Sequence, residues 1–213
     1  PDGVVEGDVL LVAVGTDVGT IEDLSISGSG WAIAETYDYG EFVFRGRLWR
    51  KIAGPSEPES YTVTQSSGAD GVAILVAIGN ADATPVTDIT AGDEDDETVP
   101  TPGVAPSGPS SIEIRWAFGV PGSGETSWTP PAGFIELVDA QSTSYTAGTA
   151  AYRELEDDSP TGIENFTANQ TVYYQVGITA AVSGAAAPSG DATAQPGVVP
   201  AAVSVPAPTV SAG

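Results

Sequence analysis

Nearly all the side chains able to do chemistry in this sequence are carboxylates. There are 29 Asp and Glu against six Lys and Arg, with no His and no Cys. Without Cys there is no thiolate nucleophile, disulfide or Cys-based metal site. Without His the usual neutral-pH proton carrier and the commonest transition-metal ligand are missing. What remains is a carboxylate pair of glycosidase type, a Ser with Lys, or a bound hard cation. In so acidic a chain, carboxylates about 5–10 Å apart arise everywhere by chance, so pairing alone selects nothing. The acid nearest an apolar strand interior is Glu113, in Ser111-Ile-Glu-Ile-Arg-Trp-Ala-Phe-Gly119. Period-two alternation puts it on the solvent face. A raised pKa would require burial, so no acid stands out and the chain reads as a non-enzyme.

Binding chemistry has more candidates. The run Asp93-Glu-Asp-Asp-Glu97 offers Asp93, Asp95 and Asp96 to Ca²⁺ or another hard cation. It lacks the alternate-position spacing and central Gly of a calcium loop and reads as a solvated acidic run, so no cofactor is expected. Among the aromatics Trp31, Tyr37, Tyr39, Trp49, Trp116, Trp128, Tyr173 and Tyr174, most fall at repeated strand positions where packing explains them. Tyr37 and Tyr39, in the turn Glu35-Thr-Tyr-Asp-Tyr-Gly40, are the candidates for stacking on a glycan. Asn165-Phe-Thr167 and Asn169-Gln-Thr171 match the glycosylation sequon, but with no export signal they are expected to be unoccupied.

The net charge of −23 repels nucleic acid, whose phosphates need clustered Lys and Arg. A carboxylate-rich chain with a single Lys resembles the proteins of extreme halophiles, where salt screens the mutual repulsion. An ordinary acidic protein from a high-GC host has the same composition. No apolar run reaches the roughly 18 residues of a membrane-spanning helix, so no membrane insertion is expected. The sequence does not open with a basic region followed by an apolar one, which predicts synthesis in a host cytoplasm without a secretory leader.

These candidates must be positioned by strands. Gly 26 and Pro 17 among 213 residues suit short strands and many turns, and no window carries a helical stripe. Asp8-Val-Leu-Leu-Val-Ala-Val-Gly-Thr-Asp17 returns as Ser111 to Gly119, Gly30-Trp31 as Gly133-Phe134, and Leu48-Trp-Arg-Lys-Ile52 as Ala151-Tyr-Arg-Glu-Leu155. Val72 to Gly79 returns as Val172 to Ile178, which places counterparts 100 to 103 residues apart. Two half-patterns, about 8–79 and 111–182, are each too small to cover their apolar faces and must share one core. Residues 80–110 read as a solvated connection, with a short strand between turns at Asn80 to Thr90, then the acidic run and a Pro-rich stretch. The expectation is one all-β, jelly-roll-like sandwich over residues 1–183, with ten or so strands. Residues 184–213, almost all Ala, Pro, Val, Gly, Ser and Thr, form an extended tail.

The order Gly7-Asp-Val-Leu-Leu-Val-Ala-Val14, Gly30-Trp31, Leu48-Trp-Arg-Lys-Ile-Ala53, Pro58-Glu-Ser-Tyr-Thr-Val-Thr64 and Val72-Ala-Ile-Leu-Val-Ala-Ile78 resembles a broad family of jelly-roll domains of tailed-virus structural proteins. Some bacterial surface proteins carry them too. The family's Pro-Pro-x-Gly-Trp turn is Ser27-Gly-Ser-Gly-Trp31 in the first half and Pro130-Pro-Ala-Gly-Phe134 in the second. The resemblance implies a non-catalytic module on a virion exterior: a capsid decoration, turret or fibre subunit. Its partners would be further copies of itself and major capsid or tail proteins. The tail, with residues 1–7, would lie in a neighbour's groove or add a strand to it. From another class comes a carbohydrate-binding module attaching to a host surface glycan. A carboxylate glycosidase is the third reading.

Overall fold

The computed structural model describes residues 3–17, 24–38, 44–65, 70–82, 84–92, 95–108, 110–142 and 146–184, and the backbone of 197–201. Among them there is no helix, and every strand pairing is antiparallel. The first half supplies β1 (Val9–Thr16), β2 (Ser25–Ile26), β3 (Ala32–Tyr37), β4 (Arg45–Ile52), β5 (Val63–Thr64) and β6 (Gly71–Gly79). Next come β7 (Val86–Gly92) and β8 (Asp96–Thr101). The second half supplies β9 (Ser111–Pro121), β10 (Trp128–Thr129), β11 (Ile135–Gln141), β12 (Ala147–Leu155) and β13 (Glu164–Ser183), followed by β14 (Gly197–Ala201).

The two halves repeat one connectivity. One sheet runs β6-β1-β4-β3 and the other β13-β9-β12-β11. The short pair β2–β5 lies beside the first sheet, and β10 pairs with the leading part of β13 beside the second. A bulge marks the same place twice, between Ile33 and Glu35 in β3 and between Glu136 and Val138 in β11. Anchored on it, Val12 matches Arg115, Trp49 matches Ala151 and Leu75 matches Thr179, offsets of 103, 102 and 104. This corrects the sequence alignment in two strands. Leu48 corresponds to Ala150 rather than Ala151, and Val72 to Val176 rather than Val172. A one-residue slip exchanges the faces of a strand, and Leu48 and Ala150 both face the shared core.

The shared core lies between the sheets. Val9, Leu11 and Ala13 of β1 and Val72, Ile74, Val76 and Ile78 of β6 meet Ile112, Ile114, Trp116 and Phe118 of β9 and Val176, Ile178, Ala180 and Val182 of β13. Phe118 wedges the sheets at one end. A Cβ on Gly15 or Gly148 would overlap its ring, so both positions must be bare. The outer face of each sheet is also covered. Leu10, Val12 and Val14 pack with Leu24, Tyr61 and Val63, while Ala117, Ala147 and Ala151 pack with Trp128, Phe134 and Phe166. β1 is therefore buried at all eight positions, as its near-continuous apolar run requires. The result is an all-β sandwich with one inter-sheet core and two outer ones.

Residues 80–110 are not the solvated connection that their composition suggests. β7 pairs with the trailing part of β13, and β8 with its leading part. Val99 and Thr101 are fully buried. β8 lies against the outer face at Gly177, where a Cβ would overlap the Pro100 carbonyl. Of the tail, residues 197–201 run as a strand on β6 of the same chain, Leu75 opposite Ala201 and Gly79 opposite Gly197. Apart from Gly184, the rest of the tail lies outside the described residues. At the other terminus the Gly7 amide donates to Ala53 O (2.9 Å) and that of Ala53 to Asp8 O (2.8 Å), which ties the lead-in to its own half.

β7 and β14 are counterparts. β6 is flanked by β1 and β14, and β13 by β9 and β7. Ala201 stands opposite Leu75 just as Asp88 stands opposite Thr179, the residue matching Leu75. Each half thus sends its trailing strand to the sheet of the other. The two crossings start side by side, where Ala81 bridges Gly184 and the Asp82 amide donates to Ser183 O (2.8 Å).

Candidate functional site

The strongest cluster of charged groups is one the alternation rule places in solvent. Glu113 is fully buried, with Arg115 two residues along the same face of β9 and Arg153 directly opposite on β12. Alternation gave the face correctly, but β8 and the loop before β13 cover that face. Arg115 donates through Nε (3.0 Å) and Nη2 (2.5 Å) to Glu113 Oε1. Its Nη1 donates to the carbonyl and hydroxyl of Thr101 (both 2.8 Å), and Nη2 also to Gly162 O (2.7 Å). Every guanidinium hydrogen has an acceptor. Arg153 Nε takes Glu113 Oε2 at 2.7 Å, with Glu164 3.7 Å from its Nη1. Both guanidiniums stand over the Phe134 ring, Arg153 at 4.5 Å and Arg115 at 5.5 Å. Burial pulls the Arg115 pKa down and the Glu113 charge opposes it. With both Glu113 oxygens engaged, the cluster has no open position for a substrate and acts as a structural tie.

The first half carries the reduced version. Lys51, the match of Arg153, donates to Glu57 Oε2 (2.7 Å) and Tyr61 Oη (3.2 Å) and stands 5.8 Å over Trp31, the match of Phe134. Trp31 meets Tyr61 edge-on, ring centres 5.0 Å apart. Tyr61 also donates to Glu57. Burial alone would raise Glu57, but Lys51, Tyr61 and the Gly54 amide outweigh it and hold the carboxyl below its ordinary value. Burial and the Glu57 acceptor push Tyr61 well above the usual phenol range. All six basic residues lie on β4, β9 and β12, and Arg45, Arg47 and Arg115 are buried. The other three, Arg50, Lys51 and Arg153, are half-buried, so no cation is fully exposed.

Two acidic pairs have a raised member. Asp17 rises through burial and the neighbouring charge of Asp70. Its carboxylate accepts the Asp70 amide, while Ser142 Oγ donates to Asp70 Oδ2 at 2.5 Å and so links the halves. Glu136 rises through partial burial and the charge of Asp139. Asp139 and Ser142 line an open cleft of about 560 Å³ with Gly124, Glu125, Thr126, Ala140 and Gln141. Asp139 already accepts the Trp128 amide (3.1 Å) and Gln141 that of Thr126 (2.8 Å), so these groups hold their own loop.

Tyr37 is half-buried and packs against the inter-sheet core. Tyr39 and Asp93 lie outside the described residues. Asp95 and Asp96 are exposed, and Asp96 Oδ1 accepts the amides of Glu97 (2.6 Å) and Thr98 (3.3 Å), which starts β8. No group of three potential metal ligands forms among the described residues. Trp49, Trp116 and Trp128 are buried as expected.

Among the described residues, Tyr173 and Tyr174 form an adjacent exposed aromatic pair, 36% and 39% accessible. They sit where β13 bulges against β9 between Tyr173 and Val176, and Tyr174 has φ +49°. A bulge position with left-handed backbone ordinarily goes to Gly. The adjacent tyrosines were visible in the sequence, but the repeat assigned them to packing and nothing local announced the bulge. Compared with known protein families, with curated proteins and with solved structures, the chain matches none.

Proposed function

We propose that this chain is a non-catalytic structural subunit that assembles with copies of itself and with other proteins on the exterior of a tailed-virus particle, as a capsid decoration, turret or fibre. The observation that carries the structural reading is the reciprocal crossing of β7 and β14. β14 completes a sheet edge, and the most elaborate polar cluster, around Arg115, fixes β8. The placement on a virus particle is supported by the sequence resemblance alone. The buried and half-buried cations fit a subunit whose acidic exterior faces solvent, and its self-repulsion should ease as salt screens it. Sedimentation of the full-length chain in low and in multimolar salt tests the reading. A defined oligomer, favoured by salt, is the expected result. A monomer at every salt and protein concentration would contradict assembly.

Tyr173 and Tyr174 favour a second reading, attachment to a host surface glycan. Two exposed rings at a strained bulge suit stacking on a sugar face, and strain of this kind collects at functional sites. A glycan array in high salt should then show hits that Tyr173→Ala and Tyr174→Ala weaken. An array without hits would remove the reading.

A further inference from the structure

We infer that the β6 edge is an acceptor for β14 of a second copy of this chain, so that residues 197–201 can close either their own sheet or a neighbour's. This rests on the assembly reading above and names its interface. The contact is the antiparallel pairing of β14 with residues 75–79, the counterpart of β7 on β13. The two crossings differ in their connections. Residues 80–85 suffice to carry the chain from β6 to β7, whereas residues 184–196 join β13 to β14. By the equivalence of the halves, six residues span the crossing and the second connection has 13. Those 13 residues, Gly184-Ala-Ala-Ala-Pro-Ser-Gly-Asp-Ala-Thr-Ala-Gln-Pro196, carry no large side chain and one charge. Fully extended they reach about 45 Å, far beyond the neighbouring half.

The hydrogen bonds made by β14 on β6 are the same whichever chain donates it. The choice is therefore set by concentration: the tethered strand competes at an effective concentration of about a millimolar, and a neighbour wins where copies are packed above that. Exchange of an identical element between protomers is a low-cost route to assembly. On a particle surface, where copies are held side by side, the exchange links them edge to edge. In dilute solution each chain closes on itself.

The absence of Cys makes the test clean. Ala77 pairs with Val199. The variants Ala77→Cys and Val199→Cys are mixed, unfolded and refolded together at about 1 μM and at a few millimolar in high salt, bracketing the tethered concentration, then oxidised. The expected product is a mixed disulfide between the two chains, identified by mass, present in the concentrated sample and absent from the dilute one. The double variant Ala77→Cys/Val199→Cys should close within one chain when dilute, which verifies the pairing. A double variant that closes internally with no mixed disulfide at any concentration overturns the exchange. A double variant that fails to close overturns the β14–β6 register itself. If sedimentation still shows an oligomer in either case, assembly stands and this interface falls. A monomer without mixed disulfide removes both.

Discussion

On its outer face the first half carries Leu10 and Val12 at the two positions where the second half carries Glu113 and Arg115. The backbone pairings around them are the same, so the ion pair is not what makes the sheet. What differs is the covering. Among the described residues of the first half, β2, β5 and flanking side chains such as Leu24 and Tyr61 cover this face. The second half must also hold β8 and the loop at Gly162, and the backbone carbonyls of Thr101 and Gly162 need donors. Arg115 supplies them from one planar group. The ion cluster is a clamp for added strands, inserted into a face that folds equally well with aliphatic side chains.

That comparison breaks most sharply at Arg115. Arg115→Ala leaves Glu113 buried with one fewer cation and two carbonyls bare, and should cost about 3–5 kcal/mol in urea unfolding. Converting the second half to the first, Glu113→Leu with Arg115→Val, removes both charges together and should cost clearly less than Arg115→Ala alone. Equal or larger loss in the double variant would show that the charges hold the sheet itself. Gly177→Val comes next. A side chain there displaces β8 at Pro100 and should cost about 1–3 kcal/mol, with faster amide exchange at Thr98, Val99 and Thr101 while β9 stays protected. Unchanged exchange along β8 would mean that it does not rest on Gly177.

The Lys51–Glu57–Tyr61 cluster gives a smaller, pH-dependent effect. Glu57 is held below its ordinary value of 4.5 in the folded state. Its contribution is therefore complete above that pH and is lost as pH falls through the depressed folded value. Glu57→Gln should cost about 1–2 kcal/mol at pH 7 and flatten the acid side of the stability curve. An unaltered acid limb would refute the coupling. The smallest effect has the opposite sign. Tyr174→Gly removes a left-handed tyrosine from the bulge and should stabilise the fold by about 1 kcal/mol. A loss of stability would mean that the ring packs as core after all.

The strands and their doubling were legible because β1 and β6 are apolar at nearly every position and the Gly-aromatic turns recur at fixed distance. The register of β4 and β6 was not. Matching Leu48 to Ala151 satisfies the local pattern, and the bulge that sets the true offset has no side-chain signature in Ile33 or Glu136. The role of residues 80–110 was hidden for another reason. Pro100 and Pro102 argue against a central strand, but β8 is paired along one side only, where Pro is tolerated. Alternation alone puts Glu113 in solvent, because the residues that cover it, on β8 and before β13, are distant in sequence. The counterpart of β7 was unreadable in Gly197-Val-Val-Pro-Ala201, whose five residues share no pattern with Val86-Thr-Asp-Ile-Thr-Ala-Gly92. Their equivalence exists only in the pairing.

Amide hydrogen exchange along β6, in the full-length chain and in one ending at Ser183, tests most directly whether the two halves complete each other. β6 presents alternate amides to β1 and to β14. The account predicts that truncation speeds exchange at one alternate set within residues 75–79 and leaves the other set, together with β13 and β7, protected as before. Identical protection of both sets in the two chains would contradict the reciprocal crossing on which the structural reading stands.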